Sequence, residues 1–90
     1  MPFLIVEYDY EPPLTDERLA VVSAALSPCL DVRGIKRLRS WISHDRRRGV
    51  CEFYAPDAES VREAYRSADV GYRTMWSGTL FEPGDLPDDG

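Results

Sequence analysis

Four side chains carry the groups with which this sequence could do chemistry. The single histidine, His44, is followed by Asp45, and an imidazole beside a carboxylate can ligate a divalent metal when further ligands come from elsewhere or from a second subunit. Two more carboxylates, Glu7 and Glu52, lie in predicted strands, where burial of one would raise its pKa and suit it to acid or base work. Such carboxylates more often form salt bridges with arginines. The four residues are therefore candidate metal ligands, and no catalytic residue is assigned.

Recognised catalytic signatures do not occur in the 90 residues. The sequence has no glycine-rich phosphate loop, no GxSxG or HExxH motif and no cysteine cluster. Cys29 and Cys51 are too far apart for the spacing of a CxxC redox or zinc motif. In a reducing interior we expect them to be small buried apolar residues without a disulfide.

The composition allows one small soluble domain and argues against nucleic acid as a partner. A content of 43% hydrophobic and 30% charged residues is typical of a globular protein. The net charge of -5, from 11 basic and 16 acidic residues, repels phosphate backbones. Seven of the 11 basic residues do lie between Arg33 and Arg48. However, the segment RRGVCEFYA does not fit the RNP1 pattern of RNA-binding sheets.

The sequence also argues against targeting to a membrane or to the outside of the cell. Its start, MPFLIVEYDY, lacks a basic segment, and Glu7 and Asp9 interrupt the apolar run, so it does not resemble a secretory signal. No stretch approaches the roughly 20 apolar residues that a spanning helix requires. We therefore expect a cytoplasmic protein with no membrane partner.

Hydrophobic periodicity predicts six elements. Alternating residues predict strands over 3–10, 35–43, 50–54 and 72–81, and the polar stretch 44–49 is typical of a hairpin loop. Thr15 and Asp57 are typical helix caps, and Pro28 is expected to limit the first helix. The predicted core positions of the two helices are Leu19, Val22, Leu26, Val61, Ala64, Tyr65 and Ala68. Residues 1–82 form a single predicted domain, and the acidic residues 83–90 predict a flexible tail.

This order of elements predicts an α+β, ferredoxin-like β-α-β-β-α-β fold. Its four-stranded antiparallel sheet has both helices on one face, with the first and third strands in the centre. The other face has no cover within the chain. A second copy or a ligand would bury it.

Strand alternation predicts which side chains lie on each face of the sheet. Leu4, Val6 and Phe53 are expected to face the helices, together with Leu38, Ile42 and Cys51. The uncovered face is then expected to hold Asp9 and the six candidate ligand-binding or interface residues, which are Glu7, Arg39, Trp41, Glu52, Tyr54 and Trp76. Such a combination of carboxylates, arginine and aromatic rings can hold a cation, orient a small polar ligand or seal a subunit interface.

The segment RLRSWISHDRRRGVCEFYAPDAESVREAYRSADV resembles a family of small bacterial proteins of largely uncharacterised function. The likeness covers most of residues 3–82, and its most specific positions are Arg39, Ser40, Trp41, Ser43, Cys51, Tyr54, Ala55, Pro56, Asp57, Arg62 and Glu63. The best-described member of that family is a cytoplasmic nickel-binding homodimer with a ferredoxin-like fold. The resemblance implies this fold and assembly, and divalent-metal binding around the dimer interface.

Two functions follow as expectations. The first is a small non-enzymatic homodimer that binds a divalent metal such as nickel, or a small ligand, at the uncovered sheet face. The alternative is an enzyme of the dimeric α+β barrel kind that acts on a small aromatic or polyketide-like compound in a pocket between the sheet and the helices. An interaction module whose sheet face meets a different protein is a third hypothesis.

Overall fold

The computed structural model describes residues 3–86 and follows the predicted order of strands and helices. The elements are β1 (Phe3–Asp9), α1 (Asp16–Asp31), β2 (Lys36–Ile42), β3 (Arg48–Tyr54), α2 (Ala58–Ala68), β4 (Thr74–Gly78) and a short 3-10 helix, Pro83–Asp85. Within the described residues, neither helix has the length and apolar character needed to cross a membrane.

The four strands form one antiparallel sheet in the order β2-β3-β1-β4. The two central strands are β1 and β3, as predicted from right-handed crossovers. Side chains of β1 and β3 form one core with both helices, so the helices lie on the same face. The ferredoxin-like α+β fold predicted from the sequence is confirmed.

The core is built where β1 and β3 alternate toward the helices. Leu4, Val6 and Phe53 are fully buried in the sheet. They pack against residues of both helices, which are Leu26, Leu30, Val61, Ala64 and Tyr65. Every second residue of β1 is buried in this way, which is the period of a strand with one covered face.

Helix α2 forms as its sequence predicts. The Asp57 carboxylate accepts a hydrogen bond from the Ser60 backbone N–H at 2.7 Å, which satisfies one of the free donors at the helix start. This hydrogen bond from Ser60 holds the pKa of Asp57 below its usual range. The predicted core residues Val61, Ala64 and Tyr65 are buried.

Helix α1 departs from the prediction in its length and in its buried stripe. Thr15 caps it as expected, accepting from the Arg18 backbone N–H at 3.1 Å. Pro28 does not end the helix, which continues to Asp31: the proline lacks its own N–H donor, but its carbonyl still accepts from the Val32 backbone N–H at 3.2 Å. The buried residues are Leu26 and Leu30. The two predicted core residues nearer the start, Leu19 and Val22, are only half-buried.

Strand β2 differs from simple alternation because of a bulge. Arg37 pairs with Phe53 while Arg39 pairs with the adjacent Glu52, so Leu38 is the extra residue. The expectation that Leu38 faces the helices is therefore wrong, and the side chain is exposed. The bulge sends Arg37 to the helix side and leaves Arg39 on the uncovered side.

The chain beyond β3 is less extended than predicted. Strand β4 covers only Thr74–Gly78, where it pairs with Phe3 to Glu7 of β1. At the start of the predicted tail, residues 83–85 form the 3-10 helix, with hydrogen bonds between Glu82 and Asp85. Residues 87–90 of that tail lie outside the described part of the chain.

Candidate functional site

The sheet face turned away from the helices, here called the open face, carries the six candidate ligand-binding or interface residues. Strand pairing arranges its side chains in rows that cross the sheet. One row runs from β4 to β2 and contains Trp76, Ile5, Glu52 and Arg39; the next contains Thr74, Glu7, Val50 and Trp41; a third contains Phe3, Tyr54 and Lys36. All six residues therefore lie on one face, as alternation predicts.

At the β4 side of the open face, Glu7 receives two hydrogen bonds. Its Oε2 accepts from the Trp76 indole N–H at 2.9 Å and from the Thr74 hydroxyl at 3.0 Å. These bonds, the one from Trp76 first, hold the pKa of Glu7 below its usual range. The carboxylate is therefore ionised at neutral pH, which argues against the acid role considered for it.

At the β2 side, Glu52 holds the other tryptophan in the same way. Its Oε2 accepts from the Trp41 indole N–H at 2.8 Å, and its Oε1 lies 3.4 Å from Nε of Arg39. The salt bridge expected for this glutamate thus forms with Arg39. The aromatic rings of Phe3 and Tyr54 lie 5.2 Å apart along the same face.

The two Trp–Glu pairs leave mainly apolar surface facing outward. Each indole has one polar atom, and that atom is already bonded within the chain. The rest of each ring remains accessible, since Trp41 is 62% and Trp76 is 51% exposed. An aromatic side chain whose polar atom is satisfied internally can be buried by a partner without loss of a hydrogen bond.

The candidate metal ligands do not come together as a site. His44 and Asp45 lie in the exposed β2–β3 turn, while Glu7 and Glu52 lie in the strands of the sheet. The Asp45 carboxylate accepts from the Ser43 hydroxyl at 2.7 Å and from the Arg47 backbone N–H at 3.1 Å, and these bonds hold its pKa below its usual range.

Among residues 3–86, no group of three or more histidine, cysteine, aspartate or glutamate side chains is arranged to hold a metal ion. Nickel favours nitrogen and imidazole ligands, and the chain has one histidine. The donor set of a single chain, as far as the structure describes it, does not fit a nickel site.

The structure also contains a cavity whose lining residues the sequence did not reveal. It has a volume of about 290 Å3 and lies between α1 and the helix-side face of the sheet. Arg37, Ser40 and Cys51 line it from the sheet, and Leu19 and Val22 line it from α1. The half-burial of Leu19 and Val22 results from this cavity, and both cysteines of the chain have free, half-buried thiols. The sequence gives no sign of the bulge at Leu38. Without that bulge, simple alternation along β2 assigns Arg37 to the wrong face of the sheet.

The fold and site together define a class: a small ferredoxin-like α+β protein with an aromatic, charged open face. A family profile described as "Nickel responsive protein SCO4226-like" matches residues 4–77, and the chain belongs to this family. The family resemblance inferred from the sequence is confirmed. The family is not described as a family of enzymes.

One solved structure supports the fold independently. The crystal structure of SCO4226 from Streptomyces coelicolor A3(2) superposes with a TM-score of 0.77 at 14% sequence identity. The match covers 89% of this chain and 99% of SCO4226. No curated protein sequence matches the chain.

Proposed function

We propose that this protein is a small non-enzymatic homodimer that assembles through its open face. The observation that carries the proposal is the pair of tryptophans, Trp41 and Trp76, each with its N–H bonded to a glutamate of the same chain. Burial of these rings contributes the hydrophobic term of association, and no polar atom of the indoles loses a partner.

Charge on the open face supports a second copy as the occupant. A two-fold dimer brings one surface against itself, so any charge on that surface is best matched by the opposite charge elsewhere on the same surface. The open face carries both signs of charge, with Lys36 and Arg39 near its β2 edge and Glu7 beside β4. A partner of a single strong charge would match only part of it.

The family description and the resemblance suggest that nickel is a ligand. We propose nickel binding only for the assembled dimer. The described donors of one chain do not form a site, so a shared site would need donors from both subunits. In a dimer, His44, Asp45, Glu7 and Glu52 each occur twice. We assign no nickel geometry to them.

The alternative function, an enzyme of the dimeric α+β barrel kind, is favoured by one observation. Its predicted pocket between sheet and helices matches the position of the cavity beneath α1. Asp9 is among the lining residues, and its carboxylate pairs with Arg73 at 3.5 Å. Turnover of a small aromatic compound by the purified protein would establish this alternative in place of the first.

The dimer is tested by light scattering coupled to size-exclusion chromatography. The expected mass is twice the chain mass of 10.3 kDa. Trp41→Asp, which places a second carboxylate beside Glu52, is expected to give a monomer. Val21→Asp is the matched control, since Val21 is 69% exposed on α1, and it is expected to leave the dimer intact. A monomeric unmodified protein, or a dimer that survives Trp41→Asp, contradicts the proposal.

Nickel is measured on the same chromatographic fractions. Stoichiometric nickel in the dimer and its loss in both His44→Ala and the Trp41→Asp monomer are the expected results for a shared site. Nickel retained by the monomer places the ligands within one chain. A dimer without nickel removes the metal from the proposal and leaves the assembly standing.

A further inference from the structure

The cavity beneath α1 has the chemical character of a small-molecule site and plays no part in the dimer proposed above. Most of its wall is apolar or aromatic, including Leu14, Leu19, Val22, Leu26 and Ile42. Its volume of about 290 Å3 is just below the range of roughly 300–1,000 Å3 that is typical of ligand pockets. A cavity with such walls favours a compact apolar or aromatic body.

Tyrosines form one wall of this cavity. The rings of Tyr8 and Tyr10 are stacked, with centroids 5.8 Å apart and planes 11° from parallel. The Tyr8 hydroxyl is hydrogen-bonded to the Tyr65 hydroxyl, so it is already satisfied at the floor of the site. Flat aromatic walls of this kind suit a planar ring as the occupant.

Two arginines give the cavity its charge. Arg18 lines it from the first turns of α1 and Arg37 from β2. Within residues 3–86, neither guanidinium forms a salt bridge with a carboxylate, although five other arginines do. Each lies near a tyrosine. Burial raises the pKa of Tyr10, which lines the cavity, and Arg18 opposes that rise. Arg37 opposes the rise that burial causes in the pKa of Tyr65, whose hydroxyl is bonded to that of Tyr8 in the cavity wall.

Two acidic residues, Asp9 and Asp69, also line the cavity, and their negative charge opposes that of the two arginines. Asp9 forms an exposed salt bridge with Arg73 at 3.5 Å. Asp69 lies at the exposed end of α2, where it adopts a left-handed backbone with φ of 57°. Of the two carboxylates that line the cavity, only Asp69 has no arginine partner among the described residues, and the two guanidiniums without a salt bridge outnumber it.

We propose that the cavity beneath α1 binds a small planar aromatic carboxylate, with its ring between α1 and the tyrosine wall and its charge matched by Arg18 and Arg37. A guanidinium is suited to a carboxylate because it donates parallel hydrogen bonds to both oxygens. The site depends on the bulge at Leu38, because the bulge places Arg37 on the face of the sheet that lines the cavity. This inference does not rest on the open face or on dimerisation.

The test uses 2-naphthoate as the probe and 2-naphthalenemethanol as an uncharged probe of similar size. Calorimetry is expected to show saturable binding of one naphthoate per chain. Chemical-shift changes in amide NMR spectra are expected at Leu19, Val22 and Ser40, and not at Trp76. Absence of saturable binding, or shifts confined to the open face, overturns the proposal.

Two sets of variants test separately how the aromatic ring and the carboxylate of the probe contribute to binding. Val22→Phe fills the cavity and is expected to abolish binding, whereas Val21→Phe, on the exposed side of the same helix, is expected to preserve it. The double variant Arg18→Gln/Arg37→Gln is expected to bind naphthoate roughly tenfold more weakly and the alcohol unchanged. Equal affinity for both probes in the unmodified protein, or undiminished binding by a folded Val22→Phe protein, overturns the assignment.

Discussion

Tyr8 and Tyr65 meet in the core between β1 and α2, and each phenol hydroxyl is the other's partner. Tyr8 is 7% and Tyr65 is 1% exposed. Burial is the main cause that raises the pKa of both phenols, because the charged form has no water around it. Both side chains therefore remain neutral in the folded protein at physiological pH.

Removal of one phenol hydroxyl leaves the other buried without its partner. We expect Tyr8→Phe and Tyr65→Phe each to lower the free energy of unfolding by about 1–3 kcal/mol. The double variant is expected to lose less than the sum, because no hydroxyl is then left unpaired. Urea unfolding of the four proteins measures the coupling. Losses that simply add would show that the two hydroxyls act independently.

At the scale of single elements, α2 is the one that its own sequence specifies best. Its cap, its core stripe and the basic Arg66 of its last turn all agree with the structure. Helix α1 is less well specified, because its apolar residues are spread widely and only Leu26 and Leu30 are buried. The cavity lies where the start of α1, at Leu19 and Val22, does not pack closely against the sheet.

The cap of α2 gives a prediction at this scale. Asp57→Ala removes the acceptor of the Ser60 N–H and is expected to lower Tm by roughly 4–8 °C. Asp57→Asn keeps an acceptor oxygen and is expected to stay close to the unmodified protein. Thermal unfolding followed by circular dichroism compares the three. An unchanged Tm for Asp57→Ala would mean that water replaces the cap without cost.

At the scale of the whole molecule, the sheet has two faces with different chemistry. The helix side is covered, apart from the cavity, and the open face presents Trp41 and Trp76 with their polar atoms satisfied. A short chain with two layers buries little apolar surface for its length. Association through the open face would add to its stability.

This coupling of assembly and stability is measurable. If the folded unit is the dimer, Tm rises with protein concentration, because dilution favours unfolded monomers. We expect a Tm increase over a tenfold rise in concentration for the unmodified protein and for Val21→Asp, and none for Trp41→Asp. Differential scanning calorimetry at two concentrations measures it. A concentration-independent Tm in the unmodified protein would show that folding is complete in one chain.

The sequence by itself determined the order of elements, the central position of β1 and β3 and the membership of the open face, because these follow from local periodicity and short connections. It also indicated the family. Only the tertiary structure decided the bulge at Leu38 and the half-burial of α1, because both depend on how separate elements pack. The cavity and its Arg18 and Arg37, which form no salt bridge among residues 3–86, arise between elements distant in sequence. The hydrogen bonds that hold Trp41 and Trp76 cross from one strand of the sheet to the next. Periodicity along one strand contains no information about those contacts.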